Sequence, residues 1–296
     1  MWQDRIELAC SLLNYSAHPF QRGLEGIARA GYKYVMLGGE HPVSTGATEK
    51  HRPLHGRMTD DALKTLKKQV ADAGLQVKSG IIGLEIHLEE PGGAELYRRE
   101  IDLWAALGVK RLVGLGPWYY KKWPTEIQPP EAWRETCERY YKLLDEFRPA
   151  VEKAGLTICI KPHTGICAHS GLVLPTMKRL NAPCYQVCWD AGNVSFYEGI
   201  SPDPGLEKVA QYVKAVCLKD HKGPRAHPVF PPLGEGNVDH DEYFRILARA
   251  GFNGVMMIER LGVREGETLT ADQIDARGKD MQAFLTPLFE KHFGGK

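Results

Sequence analysis

The segment Ile158-Cys159-Ile160-Lys161-Pro162-His163 is an apolar run that ends on a lysine, with a histidine two residues later. A lysine at the mouth of a buried strand must be paired with an anion, desolvated, or exposed to a cavity. As an ammonium it could stabilise an enolate oxygen or give it a proton; as a neutral amine it could attack a ketone. A structural ion pair without chemistry is the competing reading. His163 projects from the same side of the chain as Lys161 if the strand continues. It could bind a substrate hydroxyl, act as an acid or base near neutral pH, or simply fix the loop. Asp190 with Asn193 ends another apolar run, Lys219-Asp220-His221 ends a third, and Glu259-Arg260 ends a fourth. Lys219, Asp220, His221 and the nearby Arg225 suit a polyhydroxylated, anionic substrate; an ordinary solvated loop would use the same residues. Asn193 and Glu40 complete the candidate substrate contacts.

These residues need elements that bring them together, and a repeat supplies them. A helix ending in Ala-x-Ala-Gly, or a close variant, followed at once by a strand recurs around Gly31, Gly74, Gly108, Gly155 and Gly251. Each glycine stands where a helix C-cap takes the left-handed conformation. The last interval is about twice the others, and two further apolar runs, 184–193 and 213–220, fill it. With residues 6–14 the count is eight strands. Helical patterns lie between them: one capped by Thr59 or Asp60, one over 91–107, a long one over 130–154, and one opened by an Asp239/Glu242 capping box. The pattern predicts a (β/α)8 barrel, α/β in class, as a single domain over 1–296. No Gly-x-Gly-x-x-Gly turn follows any strand, which argues against a doubly wound dinucleotide fold.

Active sites of such barrels lie at the C-terminal strand ends. That rule collects Ser11 and Asn14; Glu40 and His41; Glu85 and His87; Trp118, Tyr119 and Tyr120; Lys161 and His163; Asp190 and Asn193; Cys217, Lys219, Asp220 and His221; and Glu259 with Arg260. Trp118, Tyr119, Tyr120 and Trp123 could stack on a sugar face or line a homo-oligomer contact. The Gly234-Glu235-Gly236 loop lacks a phosphate-loop lysine and is read as a lid or packing turn.

The strand-end phrases "DAGNVSFYEG", "CLKDHKG" and "FPPLGEGNVD", with the final Glu259, resemble those of the xylose isomerase-like sugar isomerase/epimerase superfamily. The resemblance covers nearly the whole barrel and is most specific over residues 156–260. It implies a divalent metal held by Glu, Asp, His and a final Glu, polarising a sugar carbonyl while glutamates move a proton through an enediolate. Here Asp190 and Glu259 stand at the second and fourth positions, Lys161 replaces the first glutamate, and Cys217 replaces the histidine. An ammonium cannot ligate a metal and repels a dication, so Lys161 and Cys217 argue against Mn, Mg or Zn; were one bound, Asp190 and Glu259 would hold it. The resemblance places Lys161 beside Asp190 and Glu259, supplying the positive charge a metal would bring. It points to a keto-sugar or sugar-acid isomerase or epimerase with Glu259 as base and Lys161 as electrophile. A decarboxylase or dehydratase of a 3-oxo sugar acid is the alternative, and a non-catalytic sugar-binding barrel the third.

Composition limits the remaining classes. Lys+Arg 38 against Asp+Glu 37 leaves a formal charge of +1, without the basic field of a nucleic-acid binder. The superfamily's DNA endonucleases use a multi-zinc array that cannot be assembled here. The seven cysteines include no CxxC pair, which suggests reduced thiols in a cytoplasmic protein. No signal-peptide pattern or membrane-spanning apolar run is seen. The family resemblance implies a small carbohydrate as the partner.

Overall fold

The computed structural model describes residues 1–84 and 90–295. Eight parallel strands form its centre: β1 (Ile6–Ser11), β2 (Tyr34–Leu37), β3 (Gln76–Gly80), β4 (Arg111–Leu115), β5 (Thr157–Lys161), β6 (Tyr185–Trp189), β7 (Val213–Leu218) and β8 (Gly254–Ile258). They lie in the order β3-β2-β1-β8-β7-β6-β5-β4. The two ends of that sheet meet where Ile81 bridges Val113, with the Ile82 N–H donating to the Val113 carbonyl at 3.0 Å. Closure removes both sheet edges and gives the expected (β/α)8 barrel.

Strand alternation sorts the side chains. Ala9, Met36, Val113, Cys159, Cys188, Ala215, Cys217, Val255 and Met257 pack together inside the barrel. Neighbours one residue away in the chain, such as Leu8, Val35, Leu112, Ile158, Val216 and Met256, face outward into the core beneath the helices. β8 is buried at every position, as a strand covered on both faces requires. Cys159, Cys188 and Cys217 are therefore interior packing residues, and all seven cysteines are free thiols.

The outer layer comprises α1 (Phe20–Arg29), α2 (Asp60–Asp72), α3 (Gly93–Ala106), α4 (Pro130–Lys153), α5 (Ser170–Leu180), α6 (Ala191–Glu198), α7 (Leu206–Val209), α8 (His240–Arg249) and α9 (Ala271–Phe293). Thr59 caps α2 by accepting from the Ala62 N–H. The five glycines of the sequence repeat all have φ between +65° and +91°. Only half of the predicted capping box forms at α8. Asp239 accepts from the Glu242 N–H at 2.9 Å, but the Glu242 carboxylate turns to the Arg245 guanidinium. A bidentate charged partner outcompetes a single backbone amide for that carboxylate. Among the described residues no helix is long and apolar enough to cross a membrane.

Candidate active site

Four charged side chains converge at the C-terminal mouth of the barrel. β5 delivers Lys161 as its last residue. Asp190 follows β6 and caps α6, its Oδ1 accepting from the Asn193 N–H at 2.8 Å. Register pairs Leu218 of β7 with Ile258 of β8, so the next residues, Lys219 and Glu259, stand side by side. Lys161 Nζ bonds Glu259 Oε1 and lies 3.1 Å from Asp190 Oδ2. Lys219 Nζ donates to Glu259 Oε2 at 2.5 Å and lies 2.9 Å from Asp190 Oδ2. The result is a square of alternating charge, two ammoniums and two carboxylates. Asp190 Oδ2 has the two cations as ion-pair neighbours but no aligned hydrogen bond.

All four are buried, Asp190 completely. Burial opposes the charge on Lys161, yet the surrounding Cys217, Glu259 and Asp190 outweigh it and hold the amine well above the ordinary lysine range. Burial would raise Glu259, but Lys161 and Lys219 together hold its carboxyl well below the usual range. Lys161 is thus an ammonium at neutral pH, and the resting Glu259 is a weak base.

The square opens into a cavity of about 720 Å³. His163 lines it, with Nδ1 3.3 Å from the Lys161 carbonyl, which requires that nitrogen to donate. Burial, reinforced by Lys161 and Lys219, pushes His163 down to about 4, so its ring is neutral at pH 7. Its Nε2, a lone-pair acceptor in that tautomer, has no partner among the described residues. Asn193 lines the same space and donates from Nδ2 to the Pro162 carbonyl at 2.6 Å, tying the β5 and β6 exits together. Asn14 does the equivalent between β1 and β8, donating to Ser11 O and Ile258 O and accepting from the Leu261 N–H. A Cβ on Gly192 would lie 2.6 Å from Lys219 Cγ, so glycine lets α6 start against that lysine.

Aromatic rings form the far wall. Trp118, Trp123, Phe196, Tyr197 and Phe230 line the cavity, with Trp118 in contact with Tyr197 and Trp123 with both Phe196 and Tyr197. Trp118 and Trp123 therefore belong to the cavity wall. Tyr119 turns to Trp133, and Tyr120 turns to Arg225. Phe196 and Tyr197 were not singled out from the sequence, although they lie one helical turn from Asn193 on a helix capped by Asp190. Phe230 opens the phrase "FPPLGEGNVD" that carries the family resemblance, but its place in the cavity wall was not read from the sequence, because only the fold brings its loop over the barrel.

Several residues expected to contact substrate do not line this cavity. Asp220 is fully buried and accepts backbone N–H groups from His221, Gly234, Gly236 and Val238. It organises the 234–238 turn; a Cβ on Gly236 would sit 2.1 Å from Asp220 Oδ1. Burial would raise its carboxyl, but His240 and the amides hold it low. His221 is also sealed in: Nε2 donates to the His227 carbonyl at 2.9 Å, and Nδ1 accepts from Ser195 Oγ at 2.8 Å. Burial lowers its basicity. Arg225 donates to the Tyr197 carbonyl and the Tyr120 hydroxyl and stacks on Trp123, clamping the aromatic wall from outside. Glu40 does not line the cavity; it is half-exposed, 3.9 Å from Arg52. Ser11 and His41 bond local backbone. Glu85 and His87 lie outside the described residues.

Residues 24–279 match the family model for the xylose isomerase-like TIM barrel. The chain belongs to that family. A search of curated proteins returns no significant match. Among solved structures, D-allulose 3-epimerase from Methylomonas sp. superposes with a TM-score of 0.69 at 18% identity, covering 96% of this chain and 98% of that one. The 3-keto-D-glucoside 4-epimerase from E. coli gives 0.67 at 15% identity, covering 96% and 100%. A xylose isomerase-like protein from Mycobacterium smegmatis in complex with magnesium gives 0.69 at 13% identity, covering 97% and 99%.

Among the described residues, the group that could hold a family metal is Asp190, Cys217 and Glu259, whose ligand atoms lie within 4.8 Å of one another. The donor set does not fit it. Both Glu259 oxygens and Asp190 Oδ2 already face ammoniums. A dication among them would meet two like-charged neighbours, and magnesium prefers oxygen ligands to a thiol. In this member of the family the carboxylates are neutralised by lysines.

Proposed function

We propose that the protein is a keto-sugar isomerase or epimerase working through an enediolate stabilised by the Lys161–Lys219 ammonium pair. One observation carries the reading: the buried square of alternating charge opens directly into a cavity walled by aromatic rings. A ketone oxygen entering the square meets two fixed cations in a water-poor site, where they favour the negative charge that develops on proton removal. As that oxygen draws Lys161 from Glu259 Oε1, the carboxylate regains basicity and accepts the proton from the carbon beside the carbonyl. Protonation of that carbon from its other face by the Lys161 ammonium, which Glu259 then recharges with the proton it took, gives an epimer. Delivery of the Glu259 proton to the former carbonyl carbon, with the neighbouring hydroxyl proton passing to the former carbonyl oxygen, gives an aldose–ketose pair. Neutral His163, whose Nε2 is a lone-pair acceptor unpartnered among the described residues, takes up the hydroxyl proton and passes it to the other oxygen in that isomerisation. The aromatic wall stacks the sugar's apolar face.

The family and the sugar epimerases among its structural neighbours support this reading. The square also favours ammonium over amine at Lys161, which weighs against the imine route for a lyase. An ammonium pair would still stabilise the enolate formed by loss of CO2 from a 3-oxo sugar acid, so that reaction stands as the second reading. Proton NMR in D2O over a panel of ketohexoses, ketopentoses, 3-keto sugars and 3-keto sugar acids separates them. Deuterium at the carbon beside the carbonyl, with all carbons retained, is expected; CO2 release from the 3-keto sugar acids, with deuterium only on the carbon that lost it, would favour the lyase. EDTA dialysis should leave turnover unchanged, and restoration by Mn, Mg or Zn of activity lost to EDTA would refute the lysine-for-metal reading.

A further inference from the structure

We propose that Arg260 recognises an anionic group of the substrate, so that the preferred substrate is a sugar acid rather than a neutral sugar. The inference rests on the reading of the cavity as a sugar site and names the substrate class. Lys161 and Lys219 balance Asp190 and Glu259, so the square carries no net charge. His163 is held neutral at pH 7. Arg260 follows Glu259 in the chain and lines the same cavity. Its guanidinium has no carboxylate partner among the described residues; its contact is the face of Phe230, 4.5 Å to the ring centroid.

The contrast with nearby arginines is instructive. Arg264 is held by Glu235 and Glu267, and Arg225 is held by the Tyr197 carbonyl and the Tyr120 hydroxyl. Arg260 is the one uncompensated charge on the cavity lining among the described residues. Its position over Phe230 leaves the N–H groups, which have no carboxylate partner among the described residues, available to a substrate carboxylate. Phe230 also lies 6.0 Å from Lys219 Nζ, so the same ring borders the square and the arginine. A sugar bound with its ketone at the lysines can therefore reach Arg260 with a carboxylate at its other end.

The test compares D-fructuronate with D-fructose, which share the ketone and differ at C6 by carboxylate against hydroxymethyl. Isothermal titration calorimetry on the whole protein at low salt should show D-fructuronate binding about tenfold more tightly. Arg260→Gln should bring D-fructuronate to the D-fructose value, with D-fructose affinity and melting temperature unchanged. Equal affinities in the wild type, binding of neither sugar, or parallel loss of both in the variant would overturn the proposal. Because binding is read rather than turnover, a preference without deuterium exchange would sink the isomerase reading and leave this one standing. Exchange with no preference would do the reverse.

Discussion

Lys161→Met tests the charge square most directly. The lysine side chain is 3% exposed, Asp190 0% and Glu259 8%, so removing one ammonium leaves a buried excess negative charge. Breaking a buried ion pair from one side costs about 3–5 kcal/mol. That is a sizeable part of the roughly 5–15 kcal/mol typical of native stability, and corresponds to a melting-temperature fall of roughly 6–10 °C. The variant should still fold, since methionine matches the lysine stem in length and apolar character. Turnover should vanish. The double variant Lys161→Met/Glu259→Gln leaves Lys219 facing Asp190 alone. It should recover about 2 kcal/mol relative to additivity, while remaining inactive. Urea unfolding followed by far-ultraviolet circular dichroism at pH 7 gives all four corners of the cycle. With one of the two ammoniums that hold Glu259 low gone, its carboxyl binds a proton more readily in the folded variant than in the folded wild type, so the single variant's penalty should shrink as pH falls. A single-variant cost below about 1 kcal/mol, or strict additivity, would refute the balanced-square account.

His163, held near 4 against an ordinary value of 6.5, binds fewer protons folded than unfolded between those limits. Its contribution is present above about pH 6.5 and lost as pH falls towards 4; wild type should lose about 2 kcal/mol more than His163→Asn between pH 7 and 5. Parallel pH profiles would contradict this placement. Asp220→Asn swaps an acceptor of four backbone N–H groups for a side chain that is half donor, and should cost about 2–3 kcal/mol while making the 234–238 turn more sensitive to proteolysis. Unchanged stability with a raised KM would instead return Asp220 to substrate binding.

Much of the fold was readable because it rests on local rules. Cap glycines, apolar runs and helix periodicity repeat along the chain, and all eight expected strands are present. Lys161, His163, Asp190, Asn193 and Glu259 were legible because strand ends of a barrel face one mouth, and the structure brings them together with Lys219. Asp220 and His221 follow Lys219 directly, yet they turn away from the cavity and into the 221–238 loop. Sequence adjacency could not reveal that, because neighbouring residues leaving a strand diverge once the backbone bends.

The sequence alone determined the barrel, the types of charge available at its mouth, and the departure of Lys161 and Cys217 from a metal-binding pattern. The first two follow from side-chain chemistry and short-range periodicity, the third from the resemblance of the strand-end phrases to the family. Tertiary structure decided the pairing: that Lys219 joins Lys161 in clasping Glu259, and that Arg260 is left unmatched at the cavity wall. Proton affinity and net charge depend on distances between residues 40 to 98 positions apart, which only closure of the barrel sets.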